Sequence, residues 1–309
     1  MKVTVRVPAT TANLGPGFDS FGMALPVYNE ITIEETVMPG TGIEISVLSK
    51  RQDQIDIMSI PTDKENIVYK AVELLYNSVG QSPSELKITI NSDIPITRGL
   101  GSSSSVIVGG LLAANELLGR PADEAALLSI AAEIEGHPDN ITPAIVGGTV
   151  IASLEDDGSV LYRKLDWPEE WKIMVCVPDY ELSTEIARSV IPAEIPLKNA
   201  IFNAKRCAMF VQAVNTKDEE LMKLALKDKL HQPYREKLVP ELTYLNNNLK
   251  HTKGMIGCVL AGAGPSILVI TNGENQIEIK EIIEKTYKDN NVNCNILNVQ
   301  IENTGTTKI

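Results

Sequence analysis

The sequence predicts an α+β fold in two domains. Strand-like and helix-like apolar patterns mix in both halves of the chain. The 309 residues suffice for two modest domains or one large one. The stretch "WPEEW" at 167–171 closes a hairpin and precedes a new run of strand and helices, so it marks a boundary between 1–166 and 167–309. No internal repeat or low-complexity tract appears, and the active site is expected between the two units.

Residues 2–7 alternate apolar and polar, as a strand does. "PATTANLGPGFDSFG" follows, with three glycines and two prolines, and reads as an ordered loop. Residues 29–37 and 42–48 read as strands joined through "MPGTG". "TDKE" at 62–65 reads as a capping box, with Thr62 accepting from the backbone and Glu65 reaching back. It opens a helix over "NIVYKAVELLYNSV" that stops at Gly80. "LKITINSDIP" is a strand, and a short helix covers about 122–135. "GGTVIASL" and "VLYRKL" form a hairpin around an Asp-Gly turn. In the second unit "KIMVCVP" is a buried-type strand, followed by helical patterns at about 183–190, 197–215, 218–228 and 235–250. "MIGCVLAGAGPSILVIT" reads as strand, glycine turn, strand; a helix near 273–288 and a strand near 293–301 complete the order.

Composition narrows the function. Hydrophobic residues are 43% and charged residues 22%, as in ordinary globular proteins. With 28 Lys+Arg against 40 Asp+Glu the net charge is −12. Nucleic acid and anionic membranes need a basic footprint, so neither is the expected partner. A small anion remains open to backbone N–H groups and a few placed cations. Cys176, Cys207, Cys258 and Cys294 form no CxxC and read as free thiols of a reducing cytoplasm. His137, His231 and His251 lack zinc-site spacing. The N-terminus lacks a signal-peptide core, and no apolar run reaches membrane-spanning length. Asn140 heads an "NIT" sequon that nothing else supports as a glycosylation site.

"DIPITRGLGSSSS", from Asp93 to Ser105, runs directly into the helical pattern "VIVGGLLAANELLG". A glycine-rich turn feeding a helix N-terminus gathers backbone N–H groups and the positive end of the helix dipole around an anion. Gly99 and Gly101 permit backbone angles and close approach that a side chain blocks. The hydroxyls of Ser102, Ser103, Ser104 and Ser105 add donors and an oxygen ligand for Mg²⁺. A plain helix cap needs only one of those serines. The Walker pattern GxxxxGK[ST] is absent, and GxGxxG fails because position 104 is Ser.

Pro95 to Ser105 resembles the phosphate loop of the GHMP kinase superfamily, of the form PxxxGLGSSA, with Ser105 in place of Ala. "PATTANLGPGFDSFG" is similar to that superfamily's first motif, and "LAGAGPS", Leu260 to Ser266, to its third, with Ala261 where a small polar residue is usual. The resemblance implies an N-terminal ribosomal protein S5 domain 2-like domain that binds ATP and a C-terminal ferredoxin-like α/β sandwich domain. It implies that Pro95, Ile96, Thr97, Arg98, Gly99 and Leu100, with Gly101 and the four serines, hold ATP, and that adenine lies near Asn66.

The finer pattern resembles the homoserine kinase family. "PATTANLGPGFD", "EGHPDNITPAIVGG" at 135–148, "STEIARSVIP" and "DKLHQPYR" are four of its signatures, and the match covers nearly all of 1–270. The resemblance implies transfer of the ATP γ-phosphoryl to L-homoserine, giving O-phospho-L-homoserine for threonine biosynthesis in the cytoplasm. Relatives are often homodimers. By the same resemblance Asn13, Asp19, His137, Asp139 and Asn140 line the homoserine pocket with Arg188 and Arg235, and Gly262 and Gly264 close on it. Asn13, Ser103, Glu135, Asn140 and Arg188 make up the implied catalytic set. Ser103 and Glu135 are the implied Mg²⁺ ligands, with Ser102 and Glu133 as alternatives; glutamates two apart on a helix face different ways, so only one serves.

The residue chemistry suits that substrate, because a guanidinium fork matches a carboxylate. Taken singly, Arg188 and Arg235 are surface arginines, Asn13 and Asp19 turn formers, Asp139-Asn140 an Asx turn and His137 a helix-end cap. No general base stands out, since the position that holds an Asp in several relatives matches Asn140. A mevalonate-like kinase or decarboxylase of the superfamily is a second reading, and a ligand sensor without turnover a third.

Overall fold

The computed structural model describes residues 1–35, 42–49, 60–83 and 85–309. Its first unit is a seven-stranded sheet with helices on one face. Strand β1 (Lys2–Ala12) pairs antiparallel with β2 (Phe21–Glu35), which pairs with both β4 (Leu86–Ser92) and β5 (Thr149–Leu154). β3 (Ile43–Leu48) lies parallel to β4, and β6 (Val160–Leu165) closes the predicted hairpin with β5. Helices α1 (Ile67–Ser78), α2 (Ser102–Leu117), α3 (Glu124–Glu135) and α4 (Ile141–Val146) cover this sheet. The alternation that marks β1 as a strand places Val3, Val5 and Val7 in the core against Ile31 and Ile33 of β2 and Val108 and Leu111 of α2. At about 25 cal/mol per Å² of apolar area removed from water, such side chains are each worth roughly 1.5–3 kcal/mol.

The second unit is an antiparallel four-stranded sheet in the order β10-β7-β9-β8, with β7 (Lys172–Pro178), β8 (Met255–Leu260), β9 (Ile267–Thr271) and β10 (Cys294–Val299). Five helices separate β7 from β8: α5 (Thr184–Ser189), α6 (Leu197–Thr216), α7 (Glu219–Ala225), α8 (Gln232–Arg235) and α9 (Glu241–Leu249). Helix α10 (Gln276–Asp289) joins β9 to β10. This order of strands and helices is the βαββαβ pattern expected of a ferredoxin-like unit. Cys176 and Cys258 are buried free thiols as expected, and burial pushes the Cys258 thiol up to about 12; Cys207 and Cys294 are only half-buried.

Several elements depart from the sequence reading. The helix over 67–78 is capped by Asn66, whose Oδ1 accepts from the Val68 N–H, rather than by Thr62; the Asn66 amide also donates to the Pro61 carbonyl and fixes the entry turn. "PATTANLGPGFDSFG" is largely strand at both ends, because β1 runs to Ala12 and β2 starts at Phe21. Beyond Arg235, where α8 ends, only α9 of the pattern at 235–250 is helical, starting after its N-cap Pro240, and the helix near 218–228 is shorter, Glu219–Ala225. Helix α4 and the two-residue strand β11 (Thr307–Lys308) carry no periodicity long enough to read. The end of the expected strand at 36–37 and most of the "MPGTG" turn lie outside the described residues.

The expected division at 166 has one departure. The last residues return to the first sheet, where β11 pairs with β1 and the Glu302 N–H donates to the Ala24 carbonyl. A single apolar cluster spans both units, joining Leu14, Phe21 and Leu100 of the first to Val177, Phe210 and Leu268 of the second. Across this seam the Leu182 N–H donates to Thr97, and the Arg98 guanidinium donates to the Pro178 and Asp179 carbonyls.

Beneath the seam, the carboxylate of Asp228 is fully buried and accepts four hydrogen bonds: from Asn203 Nδ2 at 2.6 Å and from the N–H groups of Leu230, His231 and Gln232 at 2.7–2.9 Å. Buried donors left without an acceptor cost roughly 1–3 kcal/mol each. Asp228→Ala is therefore expected to lower stability by about 3 kcal/mol or more, read as a shift of the urea unfolding midpoint at unchanged slope.

Candidate active site

A cavity of about 380 Å³ opens between the two units. One end is apolar, walled by Ile60, Pro61, Ile67, Val68 and Ile90 near Asn66. The Asn66 side chain is fully engaged in its own cap and turn, so a base placed at this end meets mainly apolar side chains and backbone.

The floor is the loop between β4 and α2. Thr97, Gly99 and Gly101 all have positive φ, at 53°, 73° and 65°, and fold the chain back on itself. A Cβ at Gly99 would fall 2.1 Å from the Ala261 carbonyl oxygen, and one at Gly101 would fall 1.9 Å from Thr10 Oγ1. Neither position admits a side chain, so a substitution at Gly101 disturbs packing as well as any ligand. Gly101 occupies the N-cap of α2 without a side-chain cap, which leaves the first amides of this 16-residue helix for an anion.

Above that helix end, Ser104 Oγ donates to Glu135 Oε1 at 2.7 Å and Ser103 Oγ to Oε2 at 3.3 Å. Glu135 lines the cavity, whereas Glu133 is exposed and faces away from it. Ser102 also lines the cavity, but its carbonyl accepts from Ser105 Oγ. Two hydroxyls and a carboxylate make a hard oxygen donor set that fits Mg²⁺.

The far end holds the charged residues. Asn13, at φ 70°, donates through Nδ2 to the Gly262 carbonyl at 2.8 Å and accepts the Asp19 N–H at 3.0 Å. Arg188 grips the Asp19 carboxylate in a two-pronged fork, 2.7 and 3.1 Å long. It is thus an ion-paired residue of the cavity, not the surface arginine that it reads as when taken singly. That carboxylate and its own burial act in opposite senses, and the net effect raises the guanidinium further above its ordinary value. Arg235 is not a surface residue but is 1% exposed, and it donates to the carbonyls of Ala187 and Gly262. Burial, then the nearby Arg188 charge, brings it down to about 10, against the pull of Asp19, Asp228 and Asp139.

His137 Nδ1 lies 2.9 Å from Asp139 Oδ1, and Asn140 donates to the same oxygen at 3.4 Å while accepting from Thr10 Oγ1. Ligating atoms of Asp19, His137 and Asp139 lie within 4.8 Å of one another. Burial disfavours the His137 cation, yet the Asp139 bond and the charges of Asp139, Glu135 and Asp19 outweigh it and raise the ring above 6.5.

Not every expected residue reaches the cavity. Pro95 is buried beneath the loop, and Ser105 faces Asn29 in the core. Gly264 packs toward Val239, Leu260 and Leu182 instead. Arg98 lines the cavity, but its guanidinium is turned onto β7. Phe18 and Thr10 were not singled out from sequence. Phe18 lines the cavity with both guanidinium carbons over its ring, at 5.3 and 5.4 Å, and only its place in the first motif signals it.

A glycine-rich anion loop in one domain, closed by a glycine loop of a second, defines a class of phosphotransferase, and known proteins of that class share this chain's architecture. The profile of the GHMP kinases N terminal domain matches residues 66–148 and that of the GHMP kinases C terminal domain residues 210–289. A homoserine kinase of Caldicellulosiruptor saccharolyticus is 44% identical over 87% of this chain and 83% of its own length. One of Synechocystis sp. is 39% identical over 98% and 97%. The crystal structure of homoserine kinase from Cytophaga hutchinsonii superposes with a TM-score of 0.88 at 25% identity, covering 100% of this chain and 97% of that one. The chain belongs to the homoserine kinase family of GHMP kinases. It is an ATP-dependent kinase that phosphorylates a hydroxyl group of a small molecule. Among the described residues no helix is long and apolar enough to cross a membrane.

The raised value of His137 has a sign. Its charged form adds stability in full below about pH 6.5, and that contribution is lost as pH rises through the higher folded value. An NMR titration should place the His137 midpoint above 6.5, and Asp139→Asn should bring it down. An unmoved midpoint would remove Asp139 as the cause.

Proposed function

We propose that this chain transfers the γ-phosphoryl group of ATP to the hydroxyl of L-homoserine, releasing ADP and O-phospho-L-homoserine. The observation that carries the choice of substrate is the charge pattern of the far end. Two guanidinium groups, Arg188 and Arg235, and two carboxylates, Asp19 and Asp139, surround one polar pocket. A zwitterionic amino acid supplies both complementary charges; a sugar supplies neither, and mevalonate has no ammonium group. In this reading the carboxylate of homoserine faces the arginines, and Asn13, Asp19 and Asp139 take the ammonium and hydroxyl ends. The hydroxyl then points along the cavity toward the amides of α2, where the γ-phosphate lies.

Mg²⁺, held by Ser103 or Ser104 with Glu135, neutralises phosphate charge when bound. The chain's own part is to hold phosphates on backbone amides, fix the acceptor hydroxyl in line and shield both from water. The position that holds an Asp in several relatives is Asn140 in this chain. Asn140 is held there between Thr10 and Asp139, and an amide does not take a proton at neutral pH. Phosphoryl transfer with a loose transition state needs little base assistance, so positioning and charge neutralisation suffice. Free thiols, two of them buried, and a net charge of −12 suit a cytoplasmic small-molecule enzyme.

A coupled assay of ADP release with homoserine, mevalonate and galactose tests the reading. Turnover only with homoserine supports it; turnover only with mevalonate overturns it, and ATP binding without turnover on any acceptor favours the sensor.

Two sets of variants follow. Arg188→Ala and Arg235→Ala should each lower kcat/KM for homoserine about 10- to 150-fold, as expected for a charge-assisted bond of roughly 1.5–3 kcal/mol. The ATP KM should stay unchanged. Only Arg235→Ala should also lower stability, because only that guanidinium is fully buried. Glu135→Gln should lower kcat on the order of tenfold or more and weaken the Mg²⁺ dependence, while Glu133→Gln leaves both alone. The reverse pattern in Mg²⁺ titrations would move the metal to Glu133.

A further inference from the structure

Arg188 and Arg235 are held in different ways. Arg188 meets a carboxylate, which cancels much of its charge. The hydrogen-bond acceptors of Arg235 are all neutral: the carbonyls of Ala187 and Gly262 and the ring nitrogen Nδ1 of His231, at 3.0, 3.2 and 3.1 Å. Nη1 serves two of these acceptors and Nε the third, while Nη2 makes no hydrogen bond to any described residue and Arg235 lines the cavity. The guanidinium is therefore fixed along one edge and keeps its charge for a ligand on the other.

His231 makes this possible only in one protonation state. Its ring is 0% exposed. Nε2 lies 2.7 Å from the Gly15 carbonyl, which only accepts, and 3.5 Å from Asp228 Oδ2, so Nε2 carries the proton. Nδ1 then offers a lone pair to Arg235, which only donates. A doubly protonated ring would set two donors against each other. Phe18 stacks on the imidazole at 5.2 Å and an interplanar angle of 22°, and carries Arg235 on the same ring.

We propose that His231, as the neutral Nε2–H tautomer, is a positioning residue that aims Arg235 into the cavity without neutralising it. Burial, and then the Arg235 charge, hold the ring below its ordinary value against the opposing pull of Asp228, the Gly15 carbonyl and Asp19, in keeping with a neutral imidazole. The inference rests on the reading of Arg235 as a partner of the substrate carboxylate.

His231→Phe keeps the ring stack and removes the acceptor. It is expected to raise the homoserine KM about tenfold, the value of one buried hydrogen bond to a charged group, with the ATP KM unchanged. His231→Gln, which restores an acceptor, should recover part of the loss. In an Arg235→Ala background His231→Phe should add nothing further, since the two act through one group. Additive effects, or equal losses toward ATP and homoserine, would reduce His231 to a packing role and overturn the inference. If Arg235→Ala raises the homoserine KM and His231→Phe does not, the functional reading stands and this inference alone falls. Imidazole ¹⁵N shifts of the unaltered chain give a measurement independent of any variant. The neutral Nε2–H form should persist from about pH 6 to about pH 8, and a charged ring or the Nδ1–H tautomer in that range would overturn the proposal.

Discussion

The site exists because two stretches of backbone touch with no side chain between them. At Gly99 the glycine loop between β4 and α2 of the first domain rests on the Ala261–Gly264 loop of the second, leaving no room for even a methyl group. Around that contact the Gly262 carbonyl accepts from Asn13 of one domain and Arg235 of the other, while its N–H donates to the Ala12 carbonyl. The backbone of one residue thus ties the first motif, the third motif and the buried arginine. The apolar seam through Leu14, Phe21, Leu100 and Phe210 sets the distance at which these bonds form. A wider seam would lengthen all of them together.

This arrangement also resolves an electrostatic difficulty. A chain of net charge −12 must hold a nucleotide polyanion. Under the proposed function fixed dipoles contribute to that work: the amides of α2 have no side-chain cap and open on a sheltered cavity, where dipoles count for more than surface lysines in water. The two arginines of the other end are each moderated differently. Asp19 shares the charge of Arg188, whereas carbonyls and an imidazole steer Arg235 and leave its charge intact. The pair can stand on one phenyl ring because Asp19 and that face offset their mutual repulsion.

Much of this was legible in the sequence, for a physical reason. Tight turns and helix starts are coded within a few residues, so the phosphate loop, the strand–glycine–strand motif and most strands and helices declare themselves locally. Of the two glutamates that the resemblance offers, Glu135 lines the cavity and Glu133 does not. What the sequence concealed depends on partners far along the chain. The fork between Asp19 and Arg188 spans 169 positions and the His231–Gly15 bond 216, and neither has a periodic trace. His231 and Phe18 read as ordinary residues until they are seen against the arginines. Thr62 misled as a cap because Asn66, four residues on, offers a better acceptor at the true helix start. Gly264 and Ser105 belong to matching motifs yet face the core, since a motif marks a turn of chain and not the direction of each side chain in it.

The return of the C-terminal residues to the first sheet has a topological consequence. The chain leaves that sheet after β6, builds the whole second domain and comes back to lie beside β1. In effect the second domain is an insertion looped out of the first, anchored at both of its ends. Rotation of one domain against the other is therefore restrained at two attachment points rather than one. A cleft held by a single linker swings like a door; this one is braced like a buckle, because the chain crosses the seam twice, after β6 and again before β11.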